Sequence, residues 1–114
     1  MIPWVAAGGA LGALARYGLG VAWPHDPTGF SWPTWTINVT GCFLIGVLYT
    51  LSAAPRTRAF LGTGLLGGWT TFSTASVDVL LADPPAALAY LAATLIGAVL
   101  AVSAGATLAG LARR

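Results

Sequence analysis

Gly67-Gly68-Trp69-Thr70-Thr71-Phe72-Ser73-Thr74 lies inside an apolar segment, Ala59 to Leu81, that is long enough to cross a bilayer. Paired glycines followed by β-branched and hydroxyl residues make a poor continuous helix. In hydrocarbon, every freed backbone group must find a partner in protein or in a polar cavity. A span broken near the midplane also presents carbonyls and amides that can hold ions. This stretch therefore predicts an interrupted third span and hints at an ion pathway.

The surroundings support a membrane setting. Of 114 residues, 57% are hydrophobic and 7% charged, where soluble domains carry roughly a quarter charged residues. The mean hydropathy is +0.82. The sequence has no Lys and no Glu; its acids are Asp26, Asp78 and Asp83, and its bases Arg16, Arg56, Arg58, Arg113 and Arg114. A net charge of +2 gives no basis for a nucleic-acid partner. The lone Cys42 forms no intrachain disulfide and reads as a small hydrophobe. No basic region precedes the first apolar run, so it is expected to remain as a span rather than be cleaved.

Four spans are predicted, at about residues 3–23, 34–54, 59–81 and 86–112, forming one all-α integral membrane domain. In the first, Gly8 and Gly12 form a small-xxx-small pair that admits a close neighbour. Arg16 sits in the same run, either facing a partner or lumen or snorkelling to the headgroups. The loop from Pro24 to Pro33 holds His25 and Asp26, read as a solvated turn. Trp23, Phe30, Trp32 and Trp35 around it resemble an interfacial aromatic belt. In the second span Thr34 and Asn38 share a helical face. Asn38 is the only carboxamide in the chain, either interhelical glue or a pore-lining donor. Five hydroxyl residues crowd Thr70 to Ser76, more than back-bonding to carbonyls accounts for. Asp78 is either a solvated acid at the span's end or the rim of a polar track. In the fourth span, Gly97, Ala101 and Gly105 form a packing stripe.

Four spans put both termini on one side with Arg56, Arg58, Arg113 and Arg114, so the positive-inside rule makes that side cytoplasmic. No enzyme constellation assembles from one His, one Cys and three scattered Asp, leaving transport or a structural membrane role. Carboxamide and hydroxyl groups donate to anions, and aromatic ring edges are positive. Neutral donors suit a small anion that must be bound without being trapped.

Four pieces of the chain, spanning nearly its whole length, resemble the small fluoride channels of the CrcB or Fluc family. They are Gly8-Gly9-Ala10-Leu11-Gly12-Ala13-Leu14-Ala15-Arg16-Tyr17, then Thr34-Trp35-Thr36-Ile37-Asn38-Val39-Thr40-Gly41-Cys42-Phe43, then Gly67 to Thr74, and the four-span plan itself. The resemblance implies passive export of fluoride from the cytoplasm across the cell membrane, through two narrow pores of an antiparallel dimer. It implies that Asn38 donates to fluoride, that the Phe72 ring edge lines the pore, and that Ser73 and Thr74 belong to its polar track. Thr34 would stand near the pore and Arg16 at its entrance. Backbone carbonyls of Gly67 and Thr70 would hold a structural sodium ion at the dimer centre.

Two departures from the family pattern matter: Ala75 replaces a second phenylalanine, and Asp78 replaces a glutamate. The arginine imbalance between faces further implies a non-identical partner of opposite orientation, with a dual-topology homodimer as the alternative. A small multidrug-type exporter would need a carboxylate in the first span, which has none. A non-transporting assembly protein would use the same polar groups only as glue.

Overall fold

The computed structural model describes residues 1–114 and is all-helical. Helix α1 is Ile2–Ala22 and α2 is Trp32–Leu51. Three contiguous pieces, Pro55–Thr57, Arg58–Leu66 and Gly67–Trp69, make α3; α4 is Phe72–Leu81 and α5 is Pro84–Ala112. Proline stands in the first turn of α1, α2, α3 and α5, where its missing N–H leaves no intrahelical bond unmade. Helices α1, α2 and α5 are each long and apolar enough to cross a membrane. Between α2 and α5 the chain runs through the interrupted pair α3 and α4. Only 19 of 114 residues are buried, as suits a chain whose apolar exterior meets lipid rather than water.

The predicted third span is corrected in two respects. It begins at Pro55, and the helix breaks at Thr70 and Thr71 rather than at the glycine pair. Both threonines are extended, with φ/ψ of −76/155° and −150/115°. Gly67 and Gly68 remain helical, and at Gly68 the reason is contact: a Cβ there would strike the Gly9 carbonyl. The threonines tolerate extended backbone well. Thr71 Oγ1 also accepts the Thr74 N–H at 3.1 Å, capping α4. Across Arg58–Leu66 the turns widen to π-helical spacing.

Two glycine seams hold the bundle. Along the first, a Cβ on Gly8 would collide with the Phe60 carbonyl, and one on Gly12 with the Leu65 carbonyl. Along the second, Gly46 of α2 abuts the Val102 carbonyl of α5, and Gly105 of α5 abuts the Phe43 carbonyl of α2. Helices in lipid gain no hydrophobic drive from meeting each other, so close backbone approach supplies the attraction. Both small-residue stripes read from sequence thus serve as packing surfaces.

The two ends of the bundle differ in charge. At one end Arg58 donates to the Ser52 and Tyr49 carbonyls at 2.7 and 3.0 Å, and Arg113 to the Thr50 carbonyl at 2.7 Å. These arginines cap the exposed carbonyls that end α2. Arg56 stacks over Trp4, 5.6 Å from its ring centre. At the other end, the Asp83 N–H donates to the Thr28 carbonyl at 2.9 Å, tying the two loops together. There Phe30 packs on Trp32 and Tyr90, with ring centres 4.3 and 5.2 Å away. Trp35 Nε1 donates to the Ala93 carbonyl at 3.0 Å. Phe30 and Trp35 of the expected belt therefore pack within the protein.

Candidate functional site at the broken span

The break is held open by one side chain. Asn38 Oδ1 accepts the Thr71 N–H at 2.7 Å while its Nδ2 donates to the Thr71 carbonyl at 3.0 Å. Both residues are buried, so this carboxamide stands in for the partners that Thr71 loses by leaving the helix. Neighbouring groups complete the joint. Arg16 Nε donates to the Gly68 carbonyl at 3.1 Å, and Trp69 Nε1 donates to Thr40 Oγ1 at 3.1 Å. Gly41 leaves the room that the Thr70 methyl occupies.

Four carbonyls, those of Gly67, Gly68, Trp69 and Thr70, lose their regular donors at the break, and that of Gly68 takes Arg16 Nε instead. In an unbroken helix the Thr71 N–H would reach Gly67 and the Thr74 N–H would reach Thr70. Here the first goes to Asn38 and the second to Thr71 Oγ1. The carbonyls of Gly67, Trp69 and Thr70 are thus left without their regular helical donors.

A cavity of about 430 Å³ opens beside the break, lined among others by Arg16, His25, Thr34, Thr71 and Thr74. Thr34 is buried and its Oγ1 accepts the Ser31 hydroxyl at 3.0 Å. Arg16 is partly buried, and its Nε bond to Gly68 holds the guanidinium at the wall instead of letting it snorkel. Of the predicted residues, then, Arg16, Thr34 and Thr74 share one cavity, with Asn38 clamped behind it.

Phe72 and Ser73 lie elsewhere. Phe72 is 88% exposed on the outer side of the bundle, and Ser73 is exposed with its hydroxyl 3.4 Å from Thr71 Oγ1. Phe72 borders a second, mainly apolar groove of about 390 Å³ together with Ala75, Tyr90, Leu91 and Thr94. The small side chain of Ala75 leaves this groove unfilled. The Thr94 hydroxyl is buried there without a partner.

Sequence reasoning missed three contributors. Thr71 clamps and caps at once; a threonine just ahead of a helical run is a residue type favoured at N-caps, which was the available signal. Asp78 is buried, neither solvated nor at an open rim, and accepts the Tyr90 hydroxyl at 3.4 Å. His25, read as part of a solvated turn, places Nε2 3.8 Å from Asp78 Oδ1, with its side chain 28% accessible. Nothing local in the sequence couples His25, Asp78 and Tyr90, which come from a loop and two helices.

Fold and site together define a small multi-pass membrane protein in which an interrupted helix meets a cavity lined by hydroxyl and guanidinium groups, with a carboxamide clamped behind it. Residues 3–106 match the family described as CrcB-like protein, Camphor Resistance (CrcB), and the chain belongs to that family. It is 55% identical over 111 residues to "Fluoride-specific ion channel FluC 2" of Thermobifida fusca, covering 90% of this chain and 82% of the relative. It is 49% identical over 118 aligned positions to "Fluoride-specific ion channel FluC" of Rhodospirillum centenum, covering 98% and 93%.

Proposed function

We propose that this chain is a subunit of a channel, not an enzyme, that lets fluoride leave the cytoplasm passively across the cell membrane. The observation that carries the reading is the Asn38–Thr71 pair at the break, set in a family whose named members are fluoride channels. One Nδ2 hydrogen of Asn38 serves Thr71; the other is free to donate to an anion. Thr34, Thr71 and Thr74 add hydroxyls along the same wall. Arg16 raises the local anion concentration through its charge, while the neutral donors beyond it release the ion again. The exposed Phe72 ring and Ser73 complete a pathway on a surface that a second subunit covers.

Assembly follows from that surface. An antiparallel dimer would bring Phe72 and the Ala75 groove against the partner and enclose them. The freed Gly67 and Thr70 carbonyls fit a structural sodium ion at its centre, where the metal would supply charge that fixes the interrupted backbone. Four arginines at one end orient the termini to the cytoplasm by the positive-inside rule. A chain so biased suits a non-identical partner of opposite bias better than an inverted copy of itself.

Fluoride efflux from liposomes under a potassium–valinomycin gradient, followed with a fluoride electrode, tests the reading. Efflux is expected from the chain with an oppositely biased relative, with chloride retained. Efflux from the chain alone would establish a homodimer. No efflux from either preparation would return the protein to a structural membrane role.

A further inference from the structure

Beside the cavity lies a pair of ionisable groups that the proposed pathway has not used, His25 at its wall and Asp78 buried behind. His25, in the α1–α2 loop, shares the cavity wall with Arg16 and Thr34 and faces the buried Asp78 of α4 across 3.8 Å. Tyr90 of α5 donates to the other carboxylate oxygen, so Asp78 is held between a neutral donor and a titratable one. The other ionisable groups around His25 are Arg16 and Tyr17 of α1, which line the same cavity. Its own loop adds Asp26, and the neighbouring loop Asp83, whose N–H bonds to Thr28. Asp26 keeps its charge at neutral pH: the Thr28 N–H and hydroxyl, and to a smaller extent His25, hold its carboxyl below the usual range.

We propose that His25 sets fluoride entry by compensating Asp78: as imidazolium it cancels the carboxylate that otherwise repels an anion from the Arg16 cavity. Histidine is the side chain whose charge changes between about pH 5 and 8. Above that range Arg16 on the cavity wall is opposed by an uncompensated Asp78 behind His25; below it, the pair is balanced and Arg16 acts alone. Fluoride flux therefore falls as pH rises. Two unit charges about 7 Å apart in water interact by about RT, so cancelling one charge at that range changes local anion occupancy by about threefold. The loop position makes His25 replaceable without disturbing the helix seams.

This inference rests on the channel reading, and its test separates the two. Initial fluoride efflux is measured in liposomes from pH 5.5 to 8, in the assembly that conducts, after subtracting leakage from protein-free vesicles. The wild-type rate should drop about threefold across the range. His25→Gln should be flat at the lower level and His25→Arg flat at the higher one. A wild-type rate independent of pH, or an unchanged slope in His25→Gln, overturns the role of His25 and leaves the channel intact. Absence of protein-dependent efflux at every pH, in all three proteins, overturns the channel reading and this inference with it.

Discussion

Replacing Asn38 with alanine removes both halves of the pair that holds Thr71, while the buried break itself remains. The Thr71 N–H and carbonyl would then lie in a site only 8% exposed, with no donor or acceptor to replace the bonds of 2.7 and 3.0 Å. Each unsatisfied buried group costs about 1–3 kcal/mol, so the variant should lose about 2–6 kcal/mol of stability. For a domain of this size that corresponds to a fall in melting temperature of about 10 °C or more. Asn38→Asp is the sharper probe. It keeps the acceptor for the Thr71 N–H but sets a carboxylate oxygen against the Thr71 carbonyl, so it should destabilise at least as much near neutral pH. Acidification should restore part of the loss, because a protonated carboxyl again donates. The assay is tryptophan fluorescence against temperature on detergent-solubilised protein, with helix content checked by circular dichroism. A shift under about 2 °C for the alanine variant would refute the clamp and leave Asn38 as a pathway residue only.

Gly12→Ala should separate α1 from α3 and cost about 1–3 kcal/mol through overpacking, because the added methyl meets the Leu65 carbonyl. Gly18→Ala, with nothing within 4 Å of the new methyl, should leave the melting temperature unchanged or slightly raised; equal losses in the two variants would refute the seam. Phe72→Ala should keep the helix content of the parent, since the ring is 88% exposed, yet cut fluoride efflux at least tenfold. Wild-type flux in that variant would remove Phe72 from the pathway. Trp35→Phe should cost about 1 kcal/mol by deleting the Nε1 bond to the Ala93 carbonyl, measurable in the same thermal scan.

Much of the architecture was legible because lipid restricts a chain to few solutions. Long apolar runs punctuated by Pro24, Pro55 and Pro84 mark the spans, and glycine at four-residue spacing marks the faces that meet. The interruption of the third span was legible in kind but displaced by a few residues. Gly67 and Gly68 look like breakers in one dimension; in three, Gly68 is small so that α1 can lie against it. What broke the helix was an outside partner, Asn38, which competes for Thr71's backbone from 33 residues away. The arginine caps at the end of α2 and the Asp78–His25–Tyr90 group were illegible for the same reason. Each joins positions whose sequence neighbours give no sign of the encounter. Asn38 itself was singled out as a lone carboxamide among apolar residues, and the structure gives it the role of glue as well as a place beside the cavity.

Helices that touch through glycine along α1 and α3 cannot turn about their axes without driving a carbonyl into the neighbouring chain. The α1 wall of the cavity, which carries Arg16, is thereby held in place against α3. A conduit beside so rigid a seam would have its current scaled by charge at its mouth rather than switched, and uninterrupted single-channel current would be the electrical signature of that arrangement.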